Sequence, residues 1–178
     1  MLLRVDSLTA THEVAARLAS LVRTGDIIVL AGEMGAGKTA FAQGFGAALG
    51  VADHITSPTF TLVHSYPFGD RRTLHHADLY RLDSMADVEE LALHELAEFG
   101  GIVLVEWGDV AAAGLGGHLQ VRLEHEDHEV DPHDPRVDSG DAVDIVATEI
   151  RLIDITPSGA RWAGRWQELT ELLADYRC

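Results

Sequence analysis

Residues 32–39 read Gly-Glu-Met-Gly-Ala-Gly-Lys-Thr, a full match to the pattern glycine, four residues, Gly-Lys-Thr. Each part has a physical reason. Glycine tolerates positive φ, so a run of backbone N–H groups can curl around an anion. Lysine then reaches the β- and γ-phosphates, and the threonine hydroxyl is a ligand for Mg²⁺. The candidate nucleotide cradle is therefore Glu33, Met34, Gly35, Ala36, Gly37, Lys38, Thr39 and Ala40. Context strengthens the motif. Asp26–Ala31 is a short apolar run rich in β-branched residues, as a buried parallel strand should be. From Lys38 to Leu49, Phe41, Phe45, Ala48 and Leu49 fall at helical spacing, and Gly50 stands where a helix-ending glycine would. Strand, glycine loop and helix start is the arrangement a nucleotide phosphate site requires.

The 178 residues suffice for one domain with a substantial core and are few for two. There is no run of eighteen apolar residues and no secretory pattern, which predicts a cytoplasmic protein. The single cysteine, Cys178, cannot form an intrachain disulfide. The charge excludes more than the other totals do. With 13 Lys and Arg against 29 Asp and Glu, the net charge is −16, and no basic stripe exists to bind a nucleic-acid backbone unaided. Contact with nucleic acid through a partner stays open. Affinity for ATP must come from the loop, Lys38 and Mg²⁺.

In chain order, Val14, Leu18, Leu21 and Val22 predict a helix over Thr9–Thr24, capped by Thr9 or Thr11 and ended by Gly25. Thr11 is a cap or first-turn residue, with contact to a nucleobase as the alternative. Ser57-Pro58-Thr59 is a rigid, hydroxyl-bearing segment. Ser57 and Thr59 can either sense the γ-phosphate and its metal as a switch or satisfy turn backbone groups. Pro67–Asp70 signals a turn, so Thr59–Tyr66 and Arg72–Ala77 read as a β-hairpin. Asp78, at the end of its second strand, is a candidate metal-shell or water-orienting carboxylate, or else a helix cap. His75 and His76 point to opposite sides of a strand, which disfavours a joint metal site.

Residues 84–98 read as one helix closed by Gly100 and Gly101. Ile102–Val105 followed by Glu106 is what a second central strand ending in an acid looks like, and Glu106 can hold Mg²⁺ or orient the attacking water. Trp107 reads as core or partner surface. Leu119–Glu124 and part of Val143–Ile155 alternate as strands. Between them, residues 125–141 hold seven acids and three histidines (His125, His128, His133) without apolar anchors. This predicts a mobile acidic excursion, with metal binding as the alternative. Trp162, Trp166, Leu169, Leu173 and Tyr176 form the stripe of one C-terminal helix.

Together these segments resemble the bacterial TsaE (YjeE) family of small ATPases required for threonylcarbamoyladenosine in transfer RNA. The resemblance rests on Gly25-Asp26, Gly35–Thr39, Ser57-Pro58-Thr59-Phe60, His76–Leu82 and Val105-Glu106-Trp107, in that order, and covers residues 9–110 best. Ala77, where many members carry an aromatic, and the long acidic stretch depart from the pattern. The resemblance implies a single-domain α/β phosphate-loop NTPase-like fold over residues 1–178, with a mixed central sheet flanked by helices. It implies a Mg²⁺-dependent ATPase working with the TsaB and TsaD proteins, touching tRNA only through that complex. By position, Lys38, Asp78 and Glu106 are catalytic, Thr39 and Glu106 bind the metal, and Ser57 and Thr59 form the switch. Tyr80, Arg81 and Trp107 are candidates for coupling to partners. Two rivals are a small-molecule kinase, for which Arg71, Arg72 and Arg81 are few, and an assembly module driven by ATP binding alone. The chain has no Asn-Lys-x-Asp motif for guanine, and the preference for adenine rests on the family.

Overall fold

The computed structural model describes residues 1–58, 61–82, 84–107, 114–126 and 150–178. Its strands are β1 (Leu2–Val5), β2 (Ile27–Ala31), β3 (Val63–Phe68), β4 (Arg72–Asp78), β5 (Gly101–Glu106), β6 (Leu119–His125) and β7 (Arg151–Pro157). Among the described residues they form one sheet in the order β1-β7-β6-β2-β5-β4-β3. The middle strands β6, β2, β5 and β4 run parallel, while β3, β7 and β1 join antiparallel at the two sides. The mixed sheet is therefore as expected, and its parallel centre directs one set of strand C-termini to a common end.

The alternation of β2 explains its burial on both faces. Ile28 and Leu30 pack with Phe41, Phe45, Leu104 and Trp162 on one face; Ile27 and Val29 pack with Val103, Val105, Leu93 and Ala97 on the other. Helices α1 (Leu8–Ala19) and α2 (Lys38–Leu49) cover the first face, and α3 (Met85–Glu90) and α4 (Leu93–Glu98) the second. The phosphate-loop helix has its expected bounds, and Gly50 ends it in a left-handed conformation, φ 88°.

Several boundaries differ from the sequence reading. The cap of α1 is Ser7, whose Oγ accepts the Ala10 N–H at 3.2 Å, while Thr11 donates its own hydroxyl to the Ser7 carbonyl. The helix stops at Ala19, so Leu21 and Val22 reach the core from the following turn, and Gly25 shapes the entry into β2. The helix expected over 84–98 is two. Ser84 and Asp87 form a capping box at the first, and Ala92, φ 49°, separates them. The reason is spacing: Val88 and Leu93 are five apart, off the helical repeat, and the break lets both face the sheet.

The C-terminal stripe also breaks, into α5 (Ala160–Ala163), α6 (Trp166–Leu172) and a 3₁₀ turn at Ala174–Tyr176. Gly164 favours helix weakly, and Arg165 turns its guanidinium to the buried Asp26, at 2.6 and 2.8 Å. The expected hairpin is present, with β3 beginning at Val63 after a turn at Thr61-Leu62. Thr59 and Phe60 lie outside the described residues, as do 143–149 of the last expected strand region. Of the acidic 125–141 stretch, His125 ends β6 and Glu126 pairs with Arg4 at 3.0 Å; the rest, with His128 and His133, lies outside the described residues.

Candidate functional site

The loop after β2 fulfils the geometry its glycines promise. Gly32 has φ 129°, and a Cβ there would lie 2.1 Å from the Leu123 carbonyl oxygen, so both conformation and space demand glycine. Gly37, φ 105°, precedes the first turn of α2, where unpaired N–H groups and the helix dipole favour an anion. Lys38 folds back over the loop. Its Nζ donates to the carbonyls of Gly32 and Glu33, each at 2.8 Å, and the side chain is 5% exposed.

Register brings the acids to this loop. Asp78 and Glu106 are partners at the last positions of the adjacent parallel strands β4 and β5, and Glu106 is opposite Leu30 of β2. Glu106 is 3% exposed, and its Oε1 accepts the Thr39 hydroxyl at 3.1 Å. Asp78 accepts the Ser57 hydroxyl at 2.7 Å through Oδ2 and the Tyr80 N–H at 3.0 Å through Oδ1. Asp78 thus holds both the segment before β3 and the turn after β4.

A cavity of about 440 Å³ opens here. Lys38, Thr39, Ser57, Asp78 and Glu106 line it, with Met34, Gly35, Gly37 and Ala40 of the loop and helix start. Tyr80, Arg81, Leu62 and Trp107 complete the wall. Ala36 turns into the apolar core, and Glu33 borders a separate polar cleft with Arg122, Glu124 and His125. Thr11 is buried on α1 and is not part of either lining.

Trp107 belongs to the site, which the sequence reading did not foresee. Its φ of 58° is in the left-handed region, costly for an indole side chain, and such strain clusters at functional positions. The turn carries its ring over Lys38, with Nζ 3.9 Å from the ring centroid, and Tyr80 packs beside it at 5.0 Å between centroids. The sequence signals were adjacency to Glu106 and the Val105-Glu106-Trp107 element, which pointed to partner coupling and not to a place beside Lys38. His75 and His76 diverge as strand alternation requires. His76 meets Glu106, at 3.0 Å, and His75 meets Ser65, at 2.9 Å.

The donor set fits a magnesium–nucleotide pair. Mg²⁺ binds through one or two carboxylates and hydroxyls together with substrate phosphates and waters, and Thr39 and Glu106 supply such oxygens side by side. Among the described residues, no group of three or more His, Cys, Asp and Glu is arranged to hold a metal by itself.

A family model described as "Threonylcarbamoyl adenosine biosynthesis protein TsaE" matches residues 5–133. A Streptomyces coelicolor protein named tRNA threonylcarbamoyladenosine biosynthesis protein TsaE is 36% identical over 155 residues, covering 85% of this chain and 93% of its own. A Bacillus subtilis protein of the same name is 39% identical over 97 residues, or 54% and 60% of the two chains. The crystal structure of Bacillus subtilis YdiB superposes with a TM-score of 0.67 at 26% identity, covering 96% of this chain and 94% of that one. With the family model spanning well over half of the sequence and the same fold in a related structure, this chain belongs to the TsaE family.

Proposed function

We propose that this protein is a Mg²⁺-dependent ATPase serving threonylcarbamoyladenosine synthesis in tRNA, a single domain acting in the cytoplasm with the TsaB and TsaD proteins. The role follows the names its relatives carry. The observation that most supports the chemistry is the Thr39 hydroxyl bonded to the Glu106 carboxylate at the mouth of the glycine loop. That pairing sets a hydroxyl and a carboxylate, both able to ligate Mg²⁺, beside the glycine loop.

Bound Mg²⁺ would neutralise phosphate charge. Lys38 would exchange its loop carbonyls for β- and γ-phosphate oxygens and offset the charge that develops there as water attacks the γ-phosphorus. Loop N–H groups would fix the phosphate chain, Thr39 and Glu106 would hold the metal, and Glu106 with Asp78 would orient the water. Ser57, with Thr59, reports the γ-phosphate to the hairpin that follows. Among the described residues, no helix is long and apolar enough to cross a membrane.

The test is phosphate release from Mg-ATP by the purified protein, alone and with TsaB and TsaD of its own organism. Stimulation by the pair, abolished in Lys38→Ala, is expected. Tight ATP binding without stimulated release would overturn the hydrolytic role in favour of assembly driven by binding alone.

A further inference from the structure

His76 occupies a position on β4 where an apolar side chain would ordinarily stand. It shares its strand face with Leu74, whose side chain is in the core beneath α2, and it is 0% exposed. Its Nε2 lies 3.0 Å from Glu106 Oε1, and its Nδ1 has no hydrogen-bond partner among the described residues. A nitrogen lone pair facing a carboxylate oxygen would be repelled, so Nε2 carries the proton and donates it. A buried imidazole with one unmatched nitrogen is worse for stability than an apolar side chain of similar size. The gain is at Nε2.

Glu106 Oε1 accepts from both His76 and Thr39, while Oε2 has the longer 3.5 Å contact to Thr39. When the Thr39 hydroxyl turns to a metal, His76 is the described side-chain donor that still anchors the carboxylate. We propose that His76 is a positioning residue that sets the plane of the Glu106 carboxylate for metal holding and water orientation. The inference rests on the ATPase reading of the site. Partners of this kind behind a metal-binding or reacting carboxylate change activity by about 10–100-fold.

The test compares His76→Phe, which fills similar volume without a donor, with His76→Gln, whose amide N–H reaches the Nε2 position. Steady-state hydrolysis of Mg-ATP with TsaB and TsaD gives kcat and KM, and titration calorimetry gives Mg-ADP affinity. Imidazole ¹⁵N spectra identify the protonated ring nitrogen. Expected are a KM and an ADP affinity within about threefold of the parent, a kcat about 10–100-fold lower in His76→Phe, and rescue of about tenfold in His76→Gln. The His76 signal should show a proton on Nε2 and shift in Glu106→Gln. Parental kcat in a folded His76→Phe would overturn the proposal, as would a bare Nε2. Equal loss of binding and turnover in both variants would also overturn it, leaving a packing role. If His76→Phe does not fold, His76→Gln and the spectra decide. Parent turnover no higher than that of Lys38→Ala would sink the ATPase reading instead, and the spectra would still judge the His76–Glu106 contact.

Discussion

The ammonium of Lys38 lies 3.9 Å from the centre of the Trp107 ring while donating to the carbonyls of Gly32 and Glu33. One side chain thereby joins the loop after β2 to the residue that follows β5. A nucleotide that draws Lys38 to its phosphates must change the surroundings of this indole. Addition of Mg-ATP is expected to alter tryptophan emission. The change should vanish in Trp107→Phe, although Trp162 and Trp166 remain. An unchanged response in that variant would refute the coupling.

Glu106→Gln keeps the volume and removes the charge beside Thr39. Turnover should fall by about 10²-fold or more, the range for losing a group that orients a reacting water. Mg-ADP affinity should change much less, because in the proposed site the glycine loop and Lys38 would carry most of the phosphate contacts. Calorimetry beside a phosphate-release assay checks both, and equal losses would contradict the assignment.

Asp26 is fully buried, with Arg165 its bidentate partner, and that guanidinium also donates to the Leu21 carbonyl at 2.8 Å. Arg165→Met would strand a buried carboxylate and should cost about 3–5 kcal/mol. Denaturant melts should show the double variant Asp26→Asn with Arg165→Met recovering much of that loss. No recovery would mean that Arg165 acts through its packing on Trp162, 4.0 Å from that ring, rather than through the charge pair.

Burial holds the His75 imidazole below its ordinary value of 6.5. The unfolded chain therefore takes up this proton more readily than the native one. The stabilisation is complete above pH 6.5 and is lost as pH falls from there through the lower native value. His75→Gln should flatten the acid-side decline of the melting temperature relative to the parent. An identical slope would show that His75 titrates alike in both states.

The phosphate loop, its strand and its helix were legible from residues 26–50 because local glycine chemistry and local periodicity decide them. Glu106 was legible as the end of an aliphatic run, since a fully buried strand leaves a continuous apolar signature. The role of Asp26 was not, because its partner stands 139 residues away and no local pattern announces a guanidinium that will fold back. The two broken helices misled for a related reason. Each stripe approximates helical spacing, and only tertiary demands select the break: Val88 and Leu93 on one sheet face, Arg165 on Asp26. Trp107 escaped because its position depends on a left-handed backbone turn that tryptophan composition does not suggest.

The groups that would grasp a nucleotide already grasp one another: Lys38 the loop carbonyls, Thr39 the Glu106 carboxylate, Ser57 the Asp78 carboxylate. Binding is then a swap of internal partners for external ones, and only the difference between the two sets appears as affinity. The same arithmetic helps the product leave, since each group has a resident substitute waiting within hydrogen-bond reach. A site built this way favours exchange over retention, which would suit the proposed cycle of ATP binding and hydrolysis.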